Sequence, residues 1–298
     1  MRSQIEGLAN LIGNSYKNFD ISINPLFKNL PIELIPASRF TYSNINEIKI
    51  QEKTILISCG KKSVKASILL KKRFKDLIFN IHIQDPKTKH NLFNLIICPE
   101  HDKLNKLNSI STLLALHNIK YNLIKRKKNT INFIIGGSNK YFKFKKDTQE
   151  KVLNEIIHLS KLYDINVIPS RRTPTSLIQI LKKINSNKIK TFDDIFNPSK
   201  YGDLLSEGLF QIVTWDSISM ISEAICSKAN TFIFNFEDRN CPTRYQRFYK
   251  SIIDKNLAKF YTRDLKSFDI SLDDYNEKLK TKILNKIKSH LWFKSYAP

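Results

Sequence analysis

The chain has 298 residues, of which 41% are hydrophobic and 26% charged. That balance excludes global disorder and suits one large or two ordinary domains. Lys and Arg number 50 against 27 Asp and Glu, a net charge of +23 that favours polyanionic partners. Two origins of the charge stay open: a coding bias towards Lys, Asn and Ile spread over solvated faces, or a functional basic surface.

Four scattered cysteines (Cys59, Cys98, Cys226, Cys241) form no CxxC pair and sit in or beside apolar runs. They read as buried free thiols of a reducing compartment, and no metal site is expected. No apolar run reaches the ~18 residues of a membrane span, and Glu6 interrupts the opening MRSQIEGLANLIG, which therefore does not read as a signal peptide. A cytoplasmic protein is expected, at most peripheral to the inner membrane.

In chain order, the apolar run Thr54–Cys59 reads as a strand and Lys61–Phe74 as an amphipathic helix. Phe79–Gln84 and Leu92–Cys98 read as further strands. The basic run Lys125–Lys128 then separates a second series. Strand Ile131–Ile135 leads through Gly136-Gly137 to helix Thr148–Tyr163, and strand Asn166–Ile168 leads to helix Thr175–Ile184. Strand Gln211–Trp215 precedes helix Ser217–Lys228, strand Thr231–Phe236 precedes helix Arg244–Lys255, and a Lys-rich helix, Asp273–Trp292, closes the chain. Apolar strands alternating with helices predict an α/β fold with parallel sheets. The break predicts two Rossmann-like domains, 1–128 and 129–272, with 273–298 packing back on the first.

Three strand-to-helix junctions of the second series carry candidate binding residues. Gly136, Gly137 and Ser138 give backbone that can approach a phosphate closely, although a strand-ending turn needs the same glycines. Ser170, Arg171, Arg172 and Thr173 precede Pro174; Thr173 is the expected helix cap, and two cations beside a helix N-terminus suit a diphosphate without a metal. A solvated basic turn is the plainer reading. Asp216, Ser217, Ser219, Met220 and Glu223 span the third junction, where Asp216 or Ser217 caps the helix. Glu223 does not help an anion and suits hydroxyl donors of a sugar or ribose. Ligands of open α/β sheets bind at such carboxyl ends.

In the first series, Asp85 and His101 are the acid–base candidates, His101 because Glu100 and Asp102 flank it. A surface loop is the plainer reading of His101. His82 alternates with apolar neighbours and reads as a strand histidine, and Trp215 as a packing residue. Nucleic-acid binding rests on charge alone, without a recognised motif.

Taken together, QDPKTKHNLFNLIICPEHD, FIIGGSNKYFKF, IPSRRTP and TWDSISMISEA resemble the mitochondrial fission ELM (elongated mitochondria) family, in a version that looks bacterial. SQIEGLANLIG is similar to that family's first helix. The resemblance runs from about Ser3 to about Phe260. It implies a GT-B-like fold, two Rossmann-like domains facing a cleft, with a nucleotide-sugar held by the three junctions of the second domain. The implied activity is metal-independent glycosyl transfer with no cofactor beyond that substrate, Asp85 or His101 being the base. The acceptor would be anionic or lie at a membrane surface. A non-catalytic division or morphology protein on the same fold, and a nucleotide-sugar epimerase, remain the alternatives. The chain departs from the family at Leu114 and Lys228, where glycines are usual, and at Asn230, where a proline is usual. The family also has a strand before the residue matching Gln4, so a vacancy is expected beside the Thr54–Cys59 strand.

Overall fold

The computed structural model describes the whole chain except residues 14, 32–33, 185, 194–196, 237–240, 273 and 291–298. It divides into two compact units, Met1–Asn118 with Asp274–Pro298, and Ile119–Asp273. Both are α/β, and every strand pairing in their sheets is parallel.

The first unit begins with α1 (Arg2–Ile12), which Gly13 ends in the left-handed conformation at φ 88°. Its sheet runs in sequence order: β1 (Thr54–Cys59), β2 (Ile78–Ile83), β3 (Leu95–Pro99) and β4 (Ser109–Thr112). The β-branched runs TILISC and IFNIHI suit parallel strands, and β2 is buried along its whole length. α1 and α8 (Tyr275–Lys288) cover one face. There Leu8, Ile12, Leu279, Ile283 and Ile287 pack with Phe79, Ile81 and Leu95. α2 (Lys61–Phe74) contributes Ala66 and Leu70 to a second cluster, with Tyr42, Ile45, Ile48 and Ile78. β1 lies at the sheet edge, half-buried over Thr54–Ile57, and no strand of the described residues pairs with its other side. The expected end of the last helix, 291–292, and its first residue, 273, lie outside the described residues.

The second unit orders its strands β10-β9-β8-β5-β6-β7. β5 (Thr130–Ile135) is followed by α3 (Lys146–Leu159), β6 (Asp164–Pro169), α4 (Thr175–Lys183) and β7 (Ile189–Thr191) on one side. The chain then passes through α5 (Pro198–Glu207) to β8 (Phe210–Thr214) on the other side of β5. α6 (Ile218–Cys226), β9 (Asn230–Phe234), α7 (Thr243–Asp254) and β10 (Ala258–Phe260) complete it. Strand order therefore reverses at β5 and β8, the place where open parallel sheets leave a crevice at their carboxyl ends.

A row of amides crosses the middle of this sheet. Asn132 on β5 is in register with Asn166 on β6 and Gln211 on β8. Asn166 Nδ2 donates to Asn132 Oδ1 at 3.0 Å, and Asn132 Nδ2 donates to Gln211 Oε1 at 3.1 Å and to the Leu204 carbonyl at 2.8 Å. Gln211 Nε2 donates to the Leu205 carbonyl at 2.7 Å, which ties the row to α5.

The expected boundary at residue 128 moves: residues 119–128 belong to the second unit. Polar contacts explain why the basic run misleads. Tyr121 donates to the Glu223 carbonyl, the Asn122 amide to Ser206 Oγ, Arg126 to the Ser227 and Lys228 carbonyls, and Lys127 to Glu207. The run lies across α5 and the end of α6 rather than linking two domains.

Candidate functional site

β5, β6 and β8 end side by side, and their three following loops are bonded to one another around Asp216. Its side chain is buried, accepting the Gly137 amide at 3.1 Å, the Thr214 hydroxyl at 2.7 Å and the Arg172 guanidinium at 2.9 Å. Thr214 Oγ1 in turn accepts the Gly136 amide at 2.7 Å. Arg172 also donates to the Gly137 carbonyl at 2.8 Å. Thr173 Oγ1 donates to the carbonyls of Ile135 and Gly136 and accepts the Ser170 amide. Burial acts to raise the Asp216 carboxyl pKa; the three donors act against it, and the net direction is upward.

The glycines are required by this contact. A Cβ at Gly136 would stand 2.1 Å from the Asp216 carboxylate, and one at Gly137 would stand 1.9 Å from the Arg172 carbonyl oxygen. Neither distance admits an atom. Thr173 is not the cap of α4, whose capping residue is Pro174 with no side-chain bond; the threonine hydroxyl is committed to the β5 end instead. Ser217 caps α6, accepting the Met220 amide at 3.4 Å. The amides of Ile218 and Ser219 donate to no group among the described residues.

The two arginines separate in role. Arg172 is engaged twice inside the junction, whereas Arg171 is exposed and has no ion pair or hydrogen bond among the described residues. Ser138 is exposed, its hydroxyl accepting the Phe144 amide at 2.9 Å, and Ser219 is exposed at the start of α6. Ser170 is half-buried, and its hydroxyl accepts the Arg172 amide at 3.2 Å. Met220 is buried and packs rather than presenting a polar group. Glu223 is half-buried, Tyr201 OH lies 3.3 Å from its Oε2, and burial pushes its carboxyl up to about 7. Trp215 packs against Phe142, Phe236 and Tyr249. Thr214 and Asn139, which donates to the Asp216 carbonyl at 2.9 Å, belong to the junction, yet no motif marks them. The one available signal is a hydroxyl at the last position of a strand.

Asp85 and His101 follow the adjacent strands β2 and β3, so both lie at the carboxyl edge of the first sheet. Neither suits a free general base. Burial acts to raise the Asp85 carboxyl pKa, but the Lys87 ammonium and amide and His90 outweigh it and hold it below the usual carboxylate value. His101 is 4% exposed within a single 3-10 turn, Glu100–Asp102, so the surface-loop reading fails too. The turn folds the imidazole inward. His82 is buried with Nδ1 2.8 Å from Ser58 Oγ, and burial lowers it to about 4, so it is neutral. Among the described residues there is no cluster of His, Cys, Asp or Glu that would hold a metal, and no helix is long and apolar enough to cross a membrane.

Solved structures similar to the chain include Acinetobacter baumannii MurG, at 12% identity and TM-score 0.41, covering 80% of this chain and 67% of that one. The Methanocaldococcus jannaschii UDP-GlcNAc 2-epimerase, in complex with UDP-GlcNAc and UDP, is 12% identical at TM-score 0.42, covering 79% and 69%. Among curated relatives, an uncharacterized protein of Rickettsia prowazekii (strain Madrid E) is 27% identical over 278 residues, covering 75% of each chain. The mitochondrial fission protein ELM1 of Arabidopsis thaliana is 20% identical over 247 residues, covering 70% of this chain but only 57% of that protein's length. The family model described as mitochondrial fission ELM1 matches residues 1–286, nearly the whole chain, which therefore belongs to that family.

Proposed function

We propose that the second unit binds the diphosphate of a nucleotide-sugar, and that the chain is a metal-independent glycosyltransferase. The observation that carries this is the junction at the strand-order reversal. A buried carboxylate locks three loops together there, while two α6 amides and the Arg171 guanidinium have no partner among the described residues. Helix N-terminal amides and an arginine stabilise a leaving diphosphate without a divalent ion. In the transfer, an acceptor hydroxyl oxygen bonds to the anomeric carbon as the bond to the diphosphate breaks; the nucleoside diphosphate leaves with the electron pair of that bond, and the hydroxyl proton passes to its oxygen or to water. Glu223, further along the same helix, would accept ribose hydroxyls.

The test is thermal melting with UDP, GDP, CDP and ADP in EDTA. At a hundredfold excess over Kd, a ligand raises stability by about 2.7 kcal/mol, or roughly 5–10 °C for a unit of this size. Arg171→Ala should reduce that shift without changing the melting temperature of the free protein. Absence of a shift with every nucleotide refutes the proposal. One observation favours a second reading, a nucleotide-binding protein without chemistry: Asp85 is held by Lys87 and His90, and His101 is buried. Release of nucleoside diphosphate from a panel of nucleotide-sugars separates the two.

A further inference from the structure

The first unit carries a second feature, independent of the nucleotide reading. Between Ile23 and Tyr42, which form an isolated antiparallel bridge, the chain makes an excursion closed at its neck. The Asn24 amide donates to the Thr41 carbonyl at 2.8 Å, and Asn24 Nδ2 to the Phe40 carbonyl at 3.4 Å. Tyr42 anchors it, 2% exposed, its hydroxyl donating to the Lys62 carbonyl of α2 at 3.0 Å. Pro25, Pro31 and Pro36 restrict the backbone of the excursion.

Ile35 of the excursion is buried, but four of its large apolar side chains are exposed. Leu26 is 82% exposed, Leu34 67%, Phe40 74% and Leu30 42%. Single exposed leucines are ordinary, but three leucines and a phenylalanine exposed within one excursion call for an apolar partner. Phe40 also walls a cavity of about 460 Å³ with Ile45, Leu69 and Leu70, and Arg39 and Arg73 are on its lining. Both arginines are exposed, and neither has an ion pair among the described residues. Lys28 on the excursion and Lys62 and Lys72 on α2 are exposed as well.

We infer that this face of the first unit docks on an anionic phospholipid bilayer. Leu26, Leu34 and Phe40 enter the acyl boundary while Arg39 and Arg73 hold headgroup phosphates at the mouth of the cavity. Exposed apolar side chains together with arginines that lie over the Phe40 and Phe74 rings and have no carboxylate partner among the described residues match the chemistry of that boundary, where hydrocarbon begins just below a layer of negative charge. An apolar protein groove would satisfy the leucines and leave the arginines without counter-charge. The net charge of +23 draws the chain towards such a surface over a Debye length.

The experiment is flotation with phosphatidylcholine vesicles, with and without phosphatidylglycerol, using the full chain. Wild type should float only with the anionic vesicles, and added salt should release it. Arg39→Ala with Arg73→Ala should bind about thirty-fold more weakly, from about 1 kcal/mol per basic side chain near the surface. Leu26→Ser, Leu34→Ser and Phe40→Ser together should abolish flotation. All five side chains are exposed, so the melting temperature should stay unchanged in both variants, as should any response to nucleotides in the second unit. Failure of the wild type to float overturns the inference. Unchanged binding in either variant overturns it as well, placing the lipid contact elsewhere or assigning the face to a protein.

Discussion

Replacing Glu223 by Gln tests whether burial governs the α6 carboxyl. Its environment is apolar and hydroxylic: Tyr201 OH lies 3.3 Å from the carboxylate, and Tyr121 OH donates to the residue's carbonyl at 2.8 Å. Among the described residues no cation is bonded to it, and burial raises its pKa from the usual 4.5 to about 7. The folded state therefore holds this proton more tightly than the unfolded chain does. The stability it contributes is full below 4.5 and is lost as pH rises through about 7. At about 1.4 kcal/mol per pH unit, the loss is at most about 3 kcal/mol, because the side chain keeps some solvent contact. Gln has nearly the same shape and never ionises. The variant should match wild type near pH 4.5 and exceed it above pH 7 by up to that amount. Urea unfolding followed by Trp215 fluorescence, in a Trp292→Phe background, reports on the second unit. An identical difference between variant and wild type at both ends of the range would refute the reasoning, and so would a variant less stable at alkaline pH.

Asp216→Ala should destabilise the second unit by about 3 kcal/mol or more in urea, since it strands Arg172 and the Gly137 amide; a loss below 1 kcal/mol would mean the junction is held otherwise. Gly137→Ala should do comparable damage, because the Arg172 carbonyl oxygen stands 1.9 Å from where the Cβ would lie. Lys228 has φ 56°, in the left-handed region, so Lys228→Gly should raise stability by up to about 1 kcal/mol by thermal melting. His82 is neutral when folded, with a pKa lowered from 6.5 to about 4, so the first unit should lose up to about 3 kcal/mol as pH falls from 6.5 to 4. His82→Gln should flatten that acid limb in urea titrations.

Much of the fold is legible in the sequence because its longer strands are short runs rich in isoleucine and other apolar residues. Thr54–Cys59 and Lys61–Phe74 coincide with β1 and α2, and the described ends of the other expected elements lie within four residues of those observed. The elements missed have weak patterns. β4 is the polar SIST, β7 and β10 have three residues each, and α5 hides its start in Asn197-Pro198. At the site, the three junctions are legible because glycine, arginine and serine each follow an apolar run. Which member of Arg171-Arg172 faces Asp216 is not legible, since that depends on the approach of β8 from the far side of β5. For the same reason Thr214 escapes notice. Asp85 and His101 mislead because residue type announces acid–base chemistry, while Lys87, His90 and burial decide whether a group is free to perform it.

The amide row of the second sheet bears on how this chain finds its native pairing at all. Its strands are dominated by isoleucine and phenylalanine, and apolar side chains alone discriminate poorly between one offset and another when both faces are buried. Asn132, Asn166 and Gln211 convert alignment into a chemical condition: in the native offset each amide meets the next, and α5 takes the remaining donors. A slip in any strand would maroon amide groups in hydrocarbon at a cost of about 1–3 kcal/mol each. Misaligned intermediates of this sheet are therefore short-lived, and three side chains act as a vernier for a polypeptide whose repetitive apolar alphabet otherwise offers many near-equivalent fits.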